Sequence, residues 1–301
     1  MRRTAGIALS TLIAATSAIG LAGTADARPT SSAPSPASAT SVRTQPYVAL
    51  GDSYSSAAGV MPQVPGAPAA CSRSLLNFAH DIATATRASS FTDVTCSGAK
   101  TSDFFTSQLA GVAPQLDAVT KQTRLVTMTI GGNDGDVFAT SFFGCASVAA
   151  SDPTGNPCEQ KFGNTFVNAI RTTTYPNLVK TLTAVRAKAP NATVVIVGYP
   201  TILPAVGSPA CLSSVPIALG DVPWLGKQQA VLNNAVRRAA LATGAVYVDM
   251  TNASMGHDAC QPEGTRWIEP AIGPVNAFPI HPNAQGEAAM AARTLAVLGR
   301  L

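Results

Sequence analysis

Five short runs of strand-forming residues, at positions 47–50, 91–96, 125–130, 192–197 and 245–250, are separated by stretches long enough for helices. The run at 192–197 is nearly all β-branched, as a strand buried on both faces requires. Strands alternating with helices, without tandem repeats, predict a parallel sheet covered on both faces. The expected fold class is therefore α/β, a three-layer α/β/α sandwich. Three of the runs stop in glycine and polar residues: Gly51-Asp52-Ser53, Ser97-Gly98-Ala99 and Gly131-Gly132-Asn133-Asp134. In an open α/β sheet the crevice for a ligand lies at the carboxyl ends of the strands, so these turns are the candidate site. A lone Gly-Asp-Ser is more often a turn or a helix N-cap; the other turns give it weight.

Between the strands, residues 75–86, 176–188 and 226–243 have the apolar spacing of helices, with Pro176 suited to a first turn and Gly244 a stop. Residues 136–158 and 201–225 show little regular periodicity and are expected to be irregular excursions. Near the end, His281-Pro282-Asn283 leads into a helix carrying Ala288, Ala291, Leu295 and Leu298 on one stripe. His281 then stands at or just before a helix N-terminus, where the dipole disfavours imidazolium.

The first residues, Met-Arg-Arg, an apolar run and Ala25-Asp26-Ala27, have the pattern of a secretory signal peptide over residues 1–27. No charged stop follows the run, so a stable membrane anchor is not expected. Residues 28–44 are mostly Ser, Ala, Pro and Thr and are expected to be a disordered leader; residues 45–301 form one domain. Loss of residues 1–27 leaves 18 Lys+Arg against 15 Asp+Glu with no basic block, which excludes nucleic acid as an expected partner. Six cysteines, Cys71, Cys96, Cys145, Cys158, Cys211 and Cys260, read as three disulfides in an exported chain. Fifteen connectivities are open, of which sequential pairing is the simplest. No C-x-x-C pair exists and only His80, His257 and His281 supply imidazole, so no metal and no cofactor is expected.

Taken together, Gly51-Asp52-Ser53, Gly98, Gly131-Gly132-Asn133-Asp134 and His281 resemble the SGNH (GDSL-type) hydrolase family. The resemblance implies a flavodoxin-like sandwich with Ser53 as nucleophile and His281 as base. It also implies an oxyanion hole formed by the Ser53 N–H, the Gly98 N–H and the Asn133 amide. Such donors serve acyl transfer because they stabilise charge present only in the tetrahedral intermediate. The cysteine spacing is similar to that of secreted actinobacterial lipases and esterases, which implies sequential disulfides. G-x-S-x-G, the elbow of ordinary α/β hydrolases, is absent. Many family members place Asp three residues before the histidine; here that position is Phe278, and no carboxylate lies between Glu269 and His281. The resemblance to members that orient histidine with a main-chain carbonyl fits better, so the carbonyl of Phe278 or a neighbour is expected to accept the Nδ1 proton. His257 beside Asp258 is the competing base and reads as structural.

The function so implied is secreted, extracellular hydrolysis of acyl esters by a monomer. Lipid or other acyl esters are expected as substrates, because Phe138, Phe142, Phe143, Ile217, Leu219, Val222 and Trp224 offer material for an apolar groove. A carbohydrate acetyl esterase of the same fold, or a non-catalytic binding protein that keeps it, are the alternatives. Only two tryptophans are present to stack sugars, and the intact motif set argues against loss of catalysis.

Overall fold

A computed structural model describes residues 42–301; the signal-peptide reading and nearly all of the leader reading lie outside the described residues. The sheet has five parallel strands in the order β2-β1-β3-β4-β5. They are β1 (Pro46–Ala49), β2 (Ser90–Asp93), β3 (Leu125–Met128), β4 (Thr193–Val197) and β5 (Val246–Val248). Each expected strand exists; β1 is as long as its apolar run, shifted by one residue, and the other four are one to three residues shorter than theirs. The chain leaves β1 toward one edge and β3 toward the other, so the topological switch point lies between β1 and β3. That is where a crevice opens in this class of fold.

Strand alternation divides the core. Tyr47, Ala49, Val195 and Val197 face α2 (Phe78–Thr86) and the last helix, in a cluster with Phe78, Ile82, Met290 and Leu298. Val48, Val126, Met128, Val194 and Ile196 point the other way, into a larger cluster. There α6 (Tyr175–Lys188) contributes Leu178, Leu182 and Val185, and α8 (Asp221–Thr243) contributes Leu232, Val236 and Ala239. The last helix, α9, runs Ala284–Leu298. Its N-cap is Asn283, whose side chain accepts from the Gly286 N–H, an arrangement contributing about 1 kcal/mol.

Of the two expectations about irregular regions the first fails, and the second holds apart from one short helix and its last five residues. Residues 137–149 form a helix, α3 (Val137–Ala149), followed by α4 (Pro157–Phe162) and α5 (Thr165–Ala169), with a π-helical turn at Ile170–Thr174 leading into α6. Its apolar residues are spread around the axis, so α3 shows no clean stripe, and packing against α4 and α5 selects the helix. The second excursion holds only the short α7 (Pro209–Leu212), and α8 begins at Asp221, five residues before Gly226. The Asp221 carboxylate accepts from the N–H groups of Cys158 and Glu159 at the start of α4.

The disulfides join Cys71 to Cys96, Cys145 to Cys158 and Cys211 to Cys260. In the chain-entropy model loops of this length contribute about 3–4 kcal/mol each. The first fixes the turn after β2, where the Ser97 N–H also donates to Cys71 O.

Beneath the sheet, Glu287 is fully buried and its Oε2 accepts from the Phe78 N–H, an end group of α2 with no helical partner. Burial first, then Asp81, Asp52 and Asp93, raises its pKa well above the ordinary 4.5. The folded protein keeps that proton after the unfolded chain has lost it, so stability falls as pH rises above about 4.5. Glu287→Gln should therefore match wild type near pH 4 and gain in melting temperature relative to it as pH rises to 8. A difference independent of pH would show that Glu287 does not carry the proton.

Candidate active site

β1 ends at Ala49, and Gly51 turns the chain at φ 123°. A Cβ there would collide with Thr129 O and Ser55 Oγ, so only glycine fits. Gln115 holds the turn from both sides: its Oε1 accepts from Gly51 N at 2.7 Å, and its Nε2 donates to Gly51 O at 2.9 Å. Asp52 then caps the single-turn helix α1 (Ser53–Ser56) by accepting from Tyr54 N. Ser53 opens that turn, where its N–H has no helical acceptor.

His281 approaches from the far end of the chain. Its Nε2 lies 2.8 Å from Ser53 Oγ, and its Nδ1 lies 2.8 Å from Pro279 O. Of the carbonyls expected to serve, that of Phe278 or a neighbour, the Phe278 one is not the partner, since its oxygen accepts the His281 backbone N–H at 3.2 Å. The turn aims the neighbouring Pro279 carbonyl at the ring instead. A carbonyl can only accept, which puts the proton on Nδ1 and leaves Nε2 free to accept from the serine hydroxyl. Burial lowers the His281 pKa below 6.5, with the Pro279 bond opposing the shift.

Three contacts hold this loop on α1. Tyr54 OH donates to Ile280 O at 2.7 Å, Phe278 N donates to Ala58 O at 3.0 Å, and the His281 ring packs against Tyr54 and Phe138. Ile280 has φ 61°, a conformation costly for a β-branched residue. It is over-determined by burial of the side chain, by the Tyr54 bond, and by Ile280 N donating to Glu269 O. Glu269 N donates back to His281 O. Its carboxylate is engaged elsewhere, by Arg266, Val275 N and Asn283, which hold its pKa below the ordinary value against burial.

The other two turns face Ser53 from either side of the switch point. Gly98 has φ 76°; the N–H groups of Ser97 and Ala99 are bonded to Cys71 and Cys96, leaving that of Gly98 without a partner among the described residues. Asn133 Nδ2 donates to Ala99 O at 3.0 Å, and its second hydrogen remains for a ligand. Asp134 accepts from the N–H and hydroxyl of Thr101, so the two turns are tied together.

Of the residues to which the sequence pointed, Ser53 and His281 are in contact, and Asn133 is bonded to the turn that carries Gly98, at the carboxyl ends of adjacent strands. Nothing in the sequence marked Gln115 or a buried network beneath the site. Asp52, read only as a capping type, accepts from Thr129 Oγ1 at 2.6 Å and from Tyr199 OH, whose oxygen accepts from Gly132 N. Burial pushes the Asp52 pKa up to about 6 despite these bonds. His257 lies apart, stacked on Trp267 with Nδ1 on Thr265 O.

Behind Gly132 a mostly apolar cavity runs between α3 and α8, walled by Phe138, Phe142, Ile170, Leu203, Leu225 and Leu232. Of the residues expected to form a groove only Phe138 and Phe142 line it. Ile217, Val222 and Trp224 are buried in the core, and Phe143 is 69 % exposed. The α8 residues were missed because the pattern there reads equally as core.

The chain matches the family model described as "GDSL-like Lipase/Acylhydrolase family" over residues 49–289. It is similar to Lipase 2 of Streptomyces coelicolor, 51% identical over 254 residues, 84% of this chain and 85% of that protein. Among solved structures, phospholipase A1 from Streptomyces albidoflavus superimposes with a TM-score of 0.69 at 30% identity, covering 85% of this chain and 99% of that one. The extracellular lipase of Streptomyces rimosus gives 0.64 at 29% identity with the same coverage. Matched across most of its length by the model and by a relative identical at half of the aligned positions, the chain belongs to the GDSL-like lipase/acylhydrolase family of carboxylic ester hydrolases.

Proposed function

We propose that this protein is a secreted serine ester hydrolase acting on acyl esters of lipid character, with Ser53 as nucleophile and His281 as general base. The observation that carries this reading is the 2.8 Å contact between Ser53 Oγ and His281 Nε2, with the other ring nitrogen on a main-chain carbonyl. Ser53 Oγ attacks the ester carbonyl carbon and passes its proton to Nε2. The carbonyl oxygen becomes an oxyanion, bound by the Ser53 N–H, the Gly98 N–H and the Asn133 amide. On collapse, the C–O bond to the leaving alcohol breaks and the imidazolium returns the proton to it. Water then attacks the acyl-enzyme with His281 again taking the proton, releasing the acid and restoring Ser53.

The mostly apolar cavity beside Gly132 suits an acyl chain, and of its polar side chains Ser141, Tyr199 and Gln229 are bonded within the protein, which favours a lipid ester over a carbohydrate acetate. The named activities of the relatives point the same way. Export is supported by three disulfides, the N-terminal apolar run and the extracellular S. rimosus enzyme.

Ser53→Ala should abolish hydrolysis of p-nitrophenyl esters while leaving the circular dichroism spectrum intact; near-wild-type turnover would refute the nucleophile. Asn133→Ala should lower kcat by about 10²–10³-fold, as loss of one oxyanion donor does. An effect on KM alone would make it a ground-state contact. Asp249→Asn, Asp258→Asn and Glu263→Gln, tested singly, should each keep kcat within about tenfold, whereas losing His281 should cost at least about 10². A single carboxylate variant as inactive as His281→Ala, yet folded, would reveal a missing acid.

A further inference from the structure

The polar side chains in the cavity wall are, with one exception, occupied by the protein itself. Ser141 Oγ donates to Phe138 O at 3.1 Å, and Tyr199 OH is shared between Asp52 and Gly132. Gln229 accepts from Ile202 N at 3.2 Å and donates to Pro200 O at 2.6 Å. Gln228, on α8, is 8 % exposed, and its Oε1 has no hydrogen-bond partner among the described residues. A buried amide oxygen left so costs about 1–3 kcal/mol unless something supplies a donor. Its cavity adjoins the reacting centre, since Gly132 precedes Asn133 and the Phe138 ring packs on His281.

Resting on the proposed ester hydrolase reading, we infer that Gln228 is a specificity-determining residue, the acceptor for a hydroxyl group on the acyl chain, so that hydroxylated acyl esters are the preferred substrates. An ammonium or other cation is excluded by the wall, which holds no free carboxylate: Asp52, the acid nearest it, is saturated by Thr129, Tyr199 and Tyr54. A neutral donor is required, and a hydroxyl both donates and accepts, so it suits either orientation of the amide. Space for the centre of a water-sized sphere amounts to about 70 Å³. One water needs about 10–15 Å³ on that measure, so there is room for a chain segment with its hydroxyl. A plain chain in the same place leaves the amide dehydrated and unpaired.

The test compares kcat/KM for p-nitrophenyl decanoate with that for its monohydroxylated isomers, substituted at successive carbons, in wild type and in Gln228→Met. The readout is the ratio of hydroxylated to plain ester within each protein, so partial loss of folded enzyme cancels; Gln228→Leu serves if the methionine variant does not fold. Wild type should favour at least one isomer about tenfold, one neutral hydrogen bond's worth, and the variant should bring that ratio to about one. A wild-type ratio near one for every isomer would overturn the inference, as it would if a resident water satisfied the amide. A preference that survives in Gln228→Met would overturn it too. Failure of wild type to cleave any ester, p-nitrophenyl acetate included, would refute the hydrolase reading and this inference with it; indifference to the hydroxyl in an active enzyme refutes the inference alone.

Discussion

The hydrogen bond from Tyr54 OH to Ile280 O joins two segments 226 residues apart, and the site depends on it. Tyr54 follows Ser53 and Ile280 precedes His281, so one bond sets the distance between the hydroxyl and the imidazole. It is buried, and a buried partner left unmade costs more than the bond itself contributes. It also helps hold Ile280 at positive φ, the backbone conformation that turns the chain so that Pro279 O and the His281 ring face one another. Strain in one residue is thus offset by burial of its side chain and by hydrogen bonds with two others, Tyr54 and Glu269.

A second constraint lies beneath the serine. Asp52 binds Thr129 at the end of β3 and Tyr199 after β4, and Tyr199 in turn receives Gly132 N. The serine turn and the asparagine turn are therefore fixed to one buried polar network rather than to separate loops. Donors held this way need no reorganisation when charge develops, which is what preorganised stabilisation of an oxyanion requires. The cost is a carboxyl in a dry site, visible in the raised pKa of Asp52.

Much of this was legible in the sequence where a residue type has one physical use. Gly51, Gly98 and Gly131 marked turns that need positive φ, and all three have it. β-branched runs marked the strands. Sequential cysteine pairing holds as well. Where a residue has several uses the reading ran out. α3 is apolar around its axis and leaves no period to see; Pro279 and Phe278 both carry a carbonyl, and only the turn decides between them. Tyr199 and Gln228 look like ordinary core and surface residues until the fold brings one to Asp52 and places the other in the wall of a cavity.

The central claim is that a histidine oriented by main chain alone serves Ser53. Ring ¹⁵N nuclear magnetic resonance of His281, assigned among the three histidines by its loss in His281→Ala, tests it most directly. The account predicts a neutral ring at pH 7 with the proton on Nδ1, titrating below the ordinary 6.5. A ring that is imidazolium at pH 7, titrating above 6.5 as one beside a buried carboxylate would, contradicts it.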